Sequence, residues 1–208
     1  GHTFIVEMED HLTYRLLGQT VDDAAGEAFD KVGRLLGLSY PGGPAIMKAA
    51  AGATAHDRRF PRAWMGESYD FSFSGLKTAA RHEVAQVLGL PPESRELDAS
   101  SLSESDVAEL AWAFQESVVD VLSSKLLRAA REMGAKSVIL GGGVAANSVL
   151  RERIDEGARG MGLPLIVPRP GLCTDNAAMI GAAGYHRFHA GERGDRSLDA
   201  RPSYKLAV

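Results

Sequence analysis

The chain has 208 residues, of which 45% are hydrophobic and 24% charged, an ordinary composition for a globular protein with a sizeable core. Its formal net charge is −4, so no overall positive field attracts nucleic acid or a membrane surface. A single cysteine excludes an internal disulfide and cysteine-based zinc motifs, and no apolar run has the length of a membrane span. We therefore expect a cytoplasmic protein without a membrane segment. Local basic segments, HDRRFPR at 56–62 and the arginines that run out to Arg201, are typical of a solvated surface.

The first part of the chain predicts a β-hairpin followed by helices. The segments TFIVEM and LTYRLLG are rich in β-branched and aromatic residues and flank a short polar turn. From Val21 the apolar residues recur at helical spacing as far as Leu36. The Gly- and Pro-rich residues 37–44 predict a tight turn before a short helix, AIMKAAAG. Another helix is expected from Ser74, with the Ser74 hydroxyl as its N-cap.

The second part of the chain predicts alternating strands and helices. After a loop-like segment at 91–105, a three- to four-residue apolar rhythm predicts a long helix over 106–133. A short strand, a glycine turn, an amphipathic helix, a second strand and a final helix follow. The whole pattern indicates an α/β fold with a mainly helical insertion at about 20–135.

Two motifs at helix starts are open to a structural and a functional interpretation. In LGGGVAAN, three glycines between a strand and a helix suit either a tight turn or the close approach of a ligand to the backbone. Asn147 at its end can cap the helix or hydrogen-bond a ligand. In CTDN, Asp175 can cap the final helix or face a cation or an anionic substrate.

Acidic residues at the first predicted helix form a third candidate. Asp23, Glu27 and Asp30 are three or four residues apart and so share one helix face, which is usually a solvated first turn. Asp30, however, stands beside apolar Phe29 and shortly before the PGG turn. A carboxylate and a bare glycine backbone together could hold a ribose-like diol.

Taken in order, GHT, DDAAGEAFDKVGRLLGLSYPGGP, FSFSGLKT, GGGVAAN and CTDNAAMI span nearly the whole chain and resemble the TsaD family of tRNA threonylcarbamoyltransferases. The resemblance implies the actin-like, sugar-kinase-like (ASKHA) fold, of which this chain looks like the second half, without the N-terminal half. It also implies an enzyme that transfers threonylcarbamoyl from threonylcarbamoyl-AMP to N6 of the adenosine next to the anticodon of tRNA.

The same resemblance assigns residues to the site. Asp175 matches a metal ligand, for one divalent ion that is iron or zinc, with iron suggested by the family. Asp30 and Gly43 match contacts of the adenylate, and Asn147 matches a contact of its adenosine. Gly1 matches the last glycine of a phosphate loop, provided that Gly1 and His2 are native rather than tag remnants.

The resemblance also has a gap, which bears on activity and partners. The family's two metal-binding histidines, spaced HxxxH, have no counterpart in this sequence. We therefore expect the isolated chain to have little or no transferase activity, the alternative being a catalytically silent nucleotide-binding or scaffold subunit of the same fold. The implied partners are tRNA, threonylcarbamoyl-AMP, a TsaB-like paralogue and a TsaE-like ATPase.

Overall fold

The computed structural model describes residues 1–94, 96–197 and 199. It contains two small sheets and six α-helices in these residues, in the mixed α/β order that the sequence predicts. Arg201 lies outside the described residues. No helix in the described ranges is long and apolar enough to cross a membrane.

The predicted hairpin is confirmed. Strands β1 (Phe4–Met8) and β2 (Tyr14–Gln19) pair antiparallel, with an irregular register between Ile5 and Val6. On the far edge of β2, the segment around Phe71 adds a parallel bridge, in which the Phe71 N–H donates to the Gln19 carbonyl at 2.9 Å. Gly18 permits this approach, because a Cβ there would lie 2.6 Å from Tyr69 Cβ and closer still to the Tyr69 backbone.

Helices α1 (Ala25–Leu35) and α2 (Gly42–Ala50) follow the hairpin, and both begin at places that differ from the prediction. Residues 21–24 are not helical, so α1 begins four residues after Val21, which is exposed. The glycines at 42 and 43 form the first turn of α2 rather than part of the preceding turn. Tight packing of α2 against α1 favours glycine there, a tertiary effect that local turn chemistry does not reveal.

Helix α3 (Ser74–Val87) begins where expected, but the predicted Ser74 cap is wrong. Ser74 is the first helical residue, and the residue before it, Phe73, has no capping side chain. Asp22 takes the role instead: its Oδ1 accepts the Phe73 N–H at 2.8 Å and the Ser74 N–H at 3.2 Å, and its Oδ2 accepts the Ser72 and Ser74 hydroxyls. A carboxylate accepting backbone N–H groups at a helix N-terminus also suits the helix dipole.

The 29-residue helix α4 (Glu104–Glu132) organises the core. Its buried face packs with α1, α2 and α3 around four phenylalanines, Phe29, Phe71, Phe73 and Phe114, which are at most 2% exposed. The loop before it contains a short 3-10 turn at Ala99–Ser101. The expectation of a solvated surface at 56–62 is wrong for Arg62, whose guanidinium is half-buried and donates to Asp120 Oδ2 at 2.6 Å.

The C-terminal part is the strand–helix pattern that the sequence predicts. Strands β3 (Val138–Ile139) and β4 (Leu165–Ile166) pair in parallel, and helix α5 (Ser148–Gly160) packs beside them and against α4. The last helix, α6 (Ala177–His189), has no buried residue. Its large apolar side chains are all 45% exposed or more: Met179, Ile180, Tyr185 and Phe188.

Candidate functional site

Asp30 and Gly43 lie at the contact between α1 and α2. Asp30 Oδ1 accepts the Gly42 N–H at 2.8 Å, and the half-buried carboxylate therefore faces the start of α2. Gly42 touches the α1 backbone, since a Cβ there would lie 2.6 Å from Asp30 Cα. The next residue, Gly43, faces open space, with no atom of the described structure within 4 Å of a Cβ built on it.

The other two acidic residues of the predicted helix face behave differently from Asp30. Asp23 lies before α1, and Lys31 Nζ joins it to Glu27 at 2.6 Å and 2.8 Å. Hydrogen bonds to Asp23 and Glu27 raise the pKa of Lys31, so both carboxylates are engaged with this ammonium. Of the three carboxylates, Asp30 alone is turned toward α2.

The glycine loop lies beside the same two helices. Gly142 has φ +86°, a left-handed conformation that favours glycine, and Gly141 and Gly143 also face open space. A Cβ on Gly26 of α1 would lie 3.5 Å from Val144, and Ser148 Oγ lies 3.6 Å from Met47 Sδ of α2. The loop therefore presents an open backbone next to α1 and α2.

Asn147 ends this loop, and the structure gives it the capping role. Its Oδ1 accepts the Leu150 N–H at 3.0 Å, and its Nδ2 donates to Gln115 Oε1 of α4 at 2.8 Å. The residue is 8% exposed. An amide has two donor hydrogens and two acceptor lone pairs, so one of each remains for another partner. Sequence reasoning missed Gln115, because a glutamine in an apolar helix gives no sign of the partner it meets.

The N-terminus reaches the same region. Thr3 Oγ1 accepts the Ala25 N–H at 3.0 Å, and a Cβ on Gly1 would lie 3.4 Å from Ala24 Cβ. Gly1 thus stands at the first turn of α1, and Asp30 follows five residues along that helix, a rise of about 8 Å. Gly1, Asp30, Gly43 and the glycine loop all border α1 or its contact with α2.

Asp175 is not the cap of α6. Asn176 is the N-cap, since its Oδ1 accepts the Met179 N–H at 3.0 Å. Asp175 is exposed, and within the described part of the chain its carboxylate has no hydrogen-bond or ion-pair partner. A solvated carboxylate of this kind is suited to be one ligand of a divalent ion. The described residues contain no group of three or more His, Cys, Asp or Glu side chains that could hold a metal.

Comparison with known proteins identifies the family of the chain. The model of a protein family described as tRNA N6-adenosine threonylcarbamoyltransferase, TsaD, matches residues 1–182. The chain belongs to the TsaD family. A Thermomicrobium roseum protein named tRNA N6-adenosine threonylcarbamoyltransferase is 51% identical to it over 216 residues, and the match covers 100% of this chain and 58% of that protein.

Other TsaD relatives match this chain with similar identity and coverage. Proteins of that name from Clostridioides difficile and Staphylococcus epidermidis are 46% and 44% identical, over 99% and 97% of this chain and 58% and 56% of their own lengths. The chain thus spans little more than half the length of the curated TsaD relatives it matches. A solved structure, T. kodakarensis HypF, is similar in fold, with a TM-score of 0.57 at 18% identity over 81% of this chain and 20% of that one.

Proposed function

We propose that this chain forms one wall of the adenylate site of a tRNA N6-adenosine threonylcarbamoyltransferase. The enzyme transfers threonylcarbamoyl from threonylcarbamoyl-AMP to N6 of the adenosine next to the anticodon. The observation that supports this most directly is the grouping of Asp30, Gly43 and the glycine loop around α1 and α2, in a chain whose family carries that name.

Each of these groups suits a part of the adenylate. Asp30 uses Oδ1 to hold Gly42, and Oδ2 accepts no hydrogen bond from the described residues, so it is available to a ribose hydroxyl. Gly43 and the loop glycines leave the backbone open to the ligand, and a first turn of a helix offers N–H donors to phosphate oxygens. Asn147 fixes the end of the loop through its hydrogen bonds with Gln115 and Leu150. Its amide keeps one donor and one acceptor for the adenosine.

We further propose that the metal ion of the family, iron rather than zinc, is bound by Asp175. A bound divalent ion supplies charge stabilisation for a carbonyl or phosphate oxygen. One carboxylate is a weak site by itself, so this chain alone is expected to bind the ion poorly and to have little or no transferase activity. The remaining metal ligands are expected from the part of the full-length relatives that lies outside their match to this chain.

The proposal also includes the ASKHA fold and the partners that the family resemblance implies. The likeness to HypF and the strand–helix order support the second half of an ASKHA fold, with the helical insertion at about 20–135. The partners are tRNA, a TsaB-like paralogue and a TsaE-like ATPase, in the cytoplasm. The names of the relatives favour this enzyme over a catalytically silent scaffold of the same fold.

Calorimetric titration with a non-hydrolysable threonylcarbamoyl-adenylate analogue, with and without Fe²⁺ under anaerobic conditions, tests the proposal. We expect the analogue to bind the wild-type chain, and the ion, which one carboxylate holds weakly, to strengthen that binding only at high ion concentration. Asp175→Asn should abolish the effect of the ion, whereas Asp57→Asn, at another exposed aspartate, should retain it. Absence of any binding to a folded wild-type chain, or an undiminished metal effect in Asp175→Asn, would contradict the proposal.

A further inference from the structure

One arginine joins the glycine loop to the loop that carries Asp175. Arg151, in the first turn of α5, is half-buried, and its Nε donates to the Ala145 carbonyl of the glycine loop. Its Nη2 lies 3.5 Å from the Pro168 carbonyl oxygen and 3.2 Å from Cys173 Sγ. A single guanidinium therefore contacts both loops.

The second loop is packed around Cys173. Cys173 is 3% exposed, and its Sγ lies 3.7 Å from the carbonyl oxygens of Pro168 and Arg169. Asp175 follows two residues later and directly precedes Asn176, which is fixed as the cap of α6. The backbone at the exposed Asp175 is thus flanked by a buried residue and a helix cap.

The chemistry of the three contacts favours arginine over lysine. A planar guanidinium directs five N–H donors in fixed directions, so it can donate to acceptors on two loops at once. An ammonium is a compact point charge on a flexible stem and cannot reproduce that geometry. Hydrogen bonds from a charged donor are also stronger than neutral ones.

We infer that Arg151 is a positioning residue, which holds the loop carrying Asp175 against the loop carrying Asn147. Its consequence for catalysis rests on the proposed function, but the positioning itself does not. Arg151 acts through the two loops, by setting the separation between Asp175 and Asn147, the residues that the proposed function assigns to the metal ion and the adenosine. The sequence does not indicate this role, because the segment LRERI at 150–154 is typical of an ordinary amphipathic helix.

The single cysteine makes the inference testable on the chain as it is. We would measure the rate at which iodoacetamide alkylates Cys173 in the wild type, Arg151→Ala, Arg151→Lys and Arg159→Ala, over a pH series, and compare the limiting rates at high pH, where every variant reacts as the thiolate. Arg159 is the matched control, because it lies on the same helix in an exposed ion pair with Asp155. Loss of a charge-assisted hydrogen bond predicts about ten- to a hundredfold faster alkylation in Arg151→Ala. We expect an intermediate rate in Arg151→Lys and the wild-type rate in Arg159→Ala.

Two further measurements separate positioning from general unfolding. Hydrogen exchange should show faster exchange in Arg151→Ala at residues 143–147 and 168–176, with α4 unchanged. Added guanidinium at millimolar concentration should slow Cys173 alkylation in Arg151→Ala toward the wild-type rate.

Either of two results would overturn the inference. One is alkylation of Arg151→Ala at the wild-type rate; the other is fast alkylation with faster exchange throughout α4 and no rescue by lysine or guanidinium. Failure of the wild-type chain to bind the adenylate analogue would contradict the proposed function and leave these rates to decide the role of Arg151.

Discussion

Gly42 and Gly43 are neighbours in the first turn of α2, yet replacement by alanine should destabilise the protein at Gly42 and not at Gly43. A Cβ on Gly42 would lie 2.6 Å from Asp30 Cα and 2.8 Å from the Phe29 carbonyl carbon. Ordinary contacts between carbon atoms are about 3.5–4.0 Å, so the two helices must separate by roughly 1 Å. The atoms in the way are backbone atoms of α1, which cannot rotate aside as a side chain can.

The expected magnitude follows from the contacts that separation disturbs. Overpacking costs about 1–3 kcal/mol, and weakening the hydrogen bond from Gly42 to the Asp30 carboxylate adds about 1 kcal/mol or more. The better helix propensity of alanine offsets at most about 1 kcal/mol. We therefore expect Gly42→Ala to lower the free energy of unfolding by about 1–4 kcal/mol. Gly43→Ala, with open space around its Cβ, should leave it unchanged or raise it slightly.

Urea denaturation followed by circular dichroism measures both variants. Titration with the adenylate analogue then separates fold from site, because Gly43→Ala should weaken binding while the chain stays folded. Equal stability of Gly42→Ala and Gly43→Ala would refute the close approach of α1 and α2. Undiminished analogue binding by Gly43→Ala would remove Gly43 from the site.

Three other substitutions test contacts that the fold depends on. Asp22→Asn should lower the melting temperature at pH 7 and have a progressively smaller effect as the pH falls below about 4. Hydrogen bonds from Ser72, Phe73 and Ser74 outweigh burial and hold the Asp22 pKa below its ordinary value. Such a group stabilises the fold above its unfolded pKa and loses that contribution as the pH falls through its folded pKa. Glu109→Gln should lower the melting temperature far more than Glu156→Gln at an exposed position, because buried Glu109 accepts the N–H groups of residues 54–56. Asn147→Ala should cost about 1–2 kcal/mol in urea denaturation, through loss of the α5 cap, whereas Asn147→Asp retains the acceptor.

A wild-type melting temperature in Asp22→Asn at pH 7, equal effects of the two glutamate substitutions, or full stability of Asn147→Ala would each contradict the corresponding contact. The Glu109 result has a pH dependence of the same sign as that of Asp22. The backbone N–H groups of Ala55 and Thr54 hold the Glu109 pKa below its ordinary value, so its contribution is also lost in acid.

The sequence predicts those parts of the fold that depend on neighbours along the chain. The apolar rhythm of α4 placed its ends within two residues of Glu104 and Glu132, because a long amphipathic stripe is a local property. The start of α3 was predicted, but its cap was not, since the carboxylate of Asp22 comes from 52 residues away. The start of α2 was missed for the same reason: only contact with α1 explains why glycines form a helical turn there.

In the candidate site, too, sequence motifs identify residues but not the long-range contacts that hold them. Asp30, Gly43, Asn147 and Asp175 follow from a resemblance carried by their motifs, and their roles toward a ligand stay predictions. The contacts that hold them, such as Asn147 with Gln115, join residues far apart in sequence. No periodicity or spacing in a single sequence encodes such a pair.

Helix α6 has a consequence for how the chain behaves in a cell. Helices of 13 residues are marginal in water on their own, and this one contains Gly181 and Gly184 and leaves Met179, Ile180, Tyr185 and Phe188 exposed. Large apolar side chains on a helix normally face a surface on which the helix packs. Chaperones and proteases recognise exposed segments of this kind, so the survival of the chain is expected to depend on how soon another protein surface covers α6.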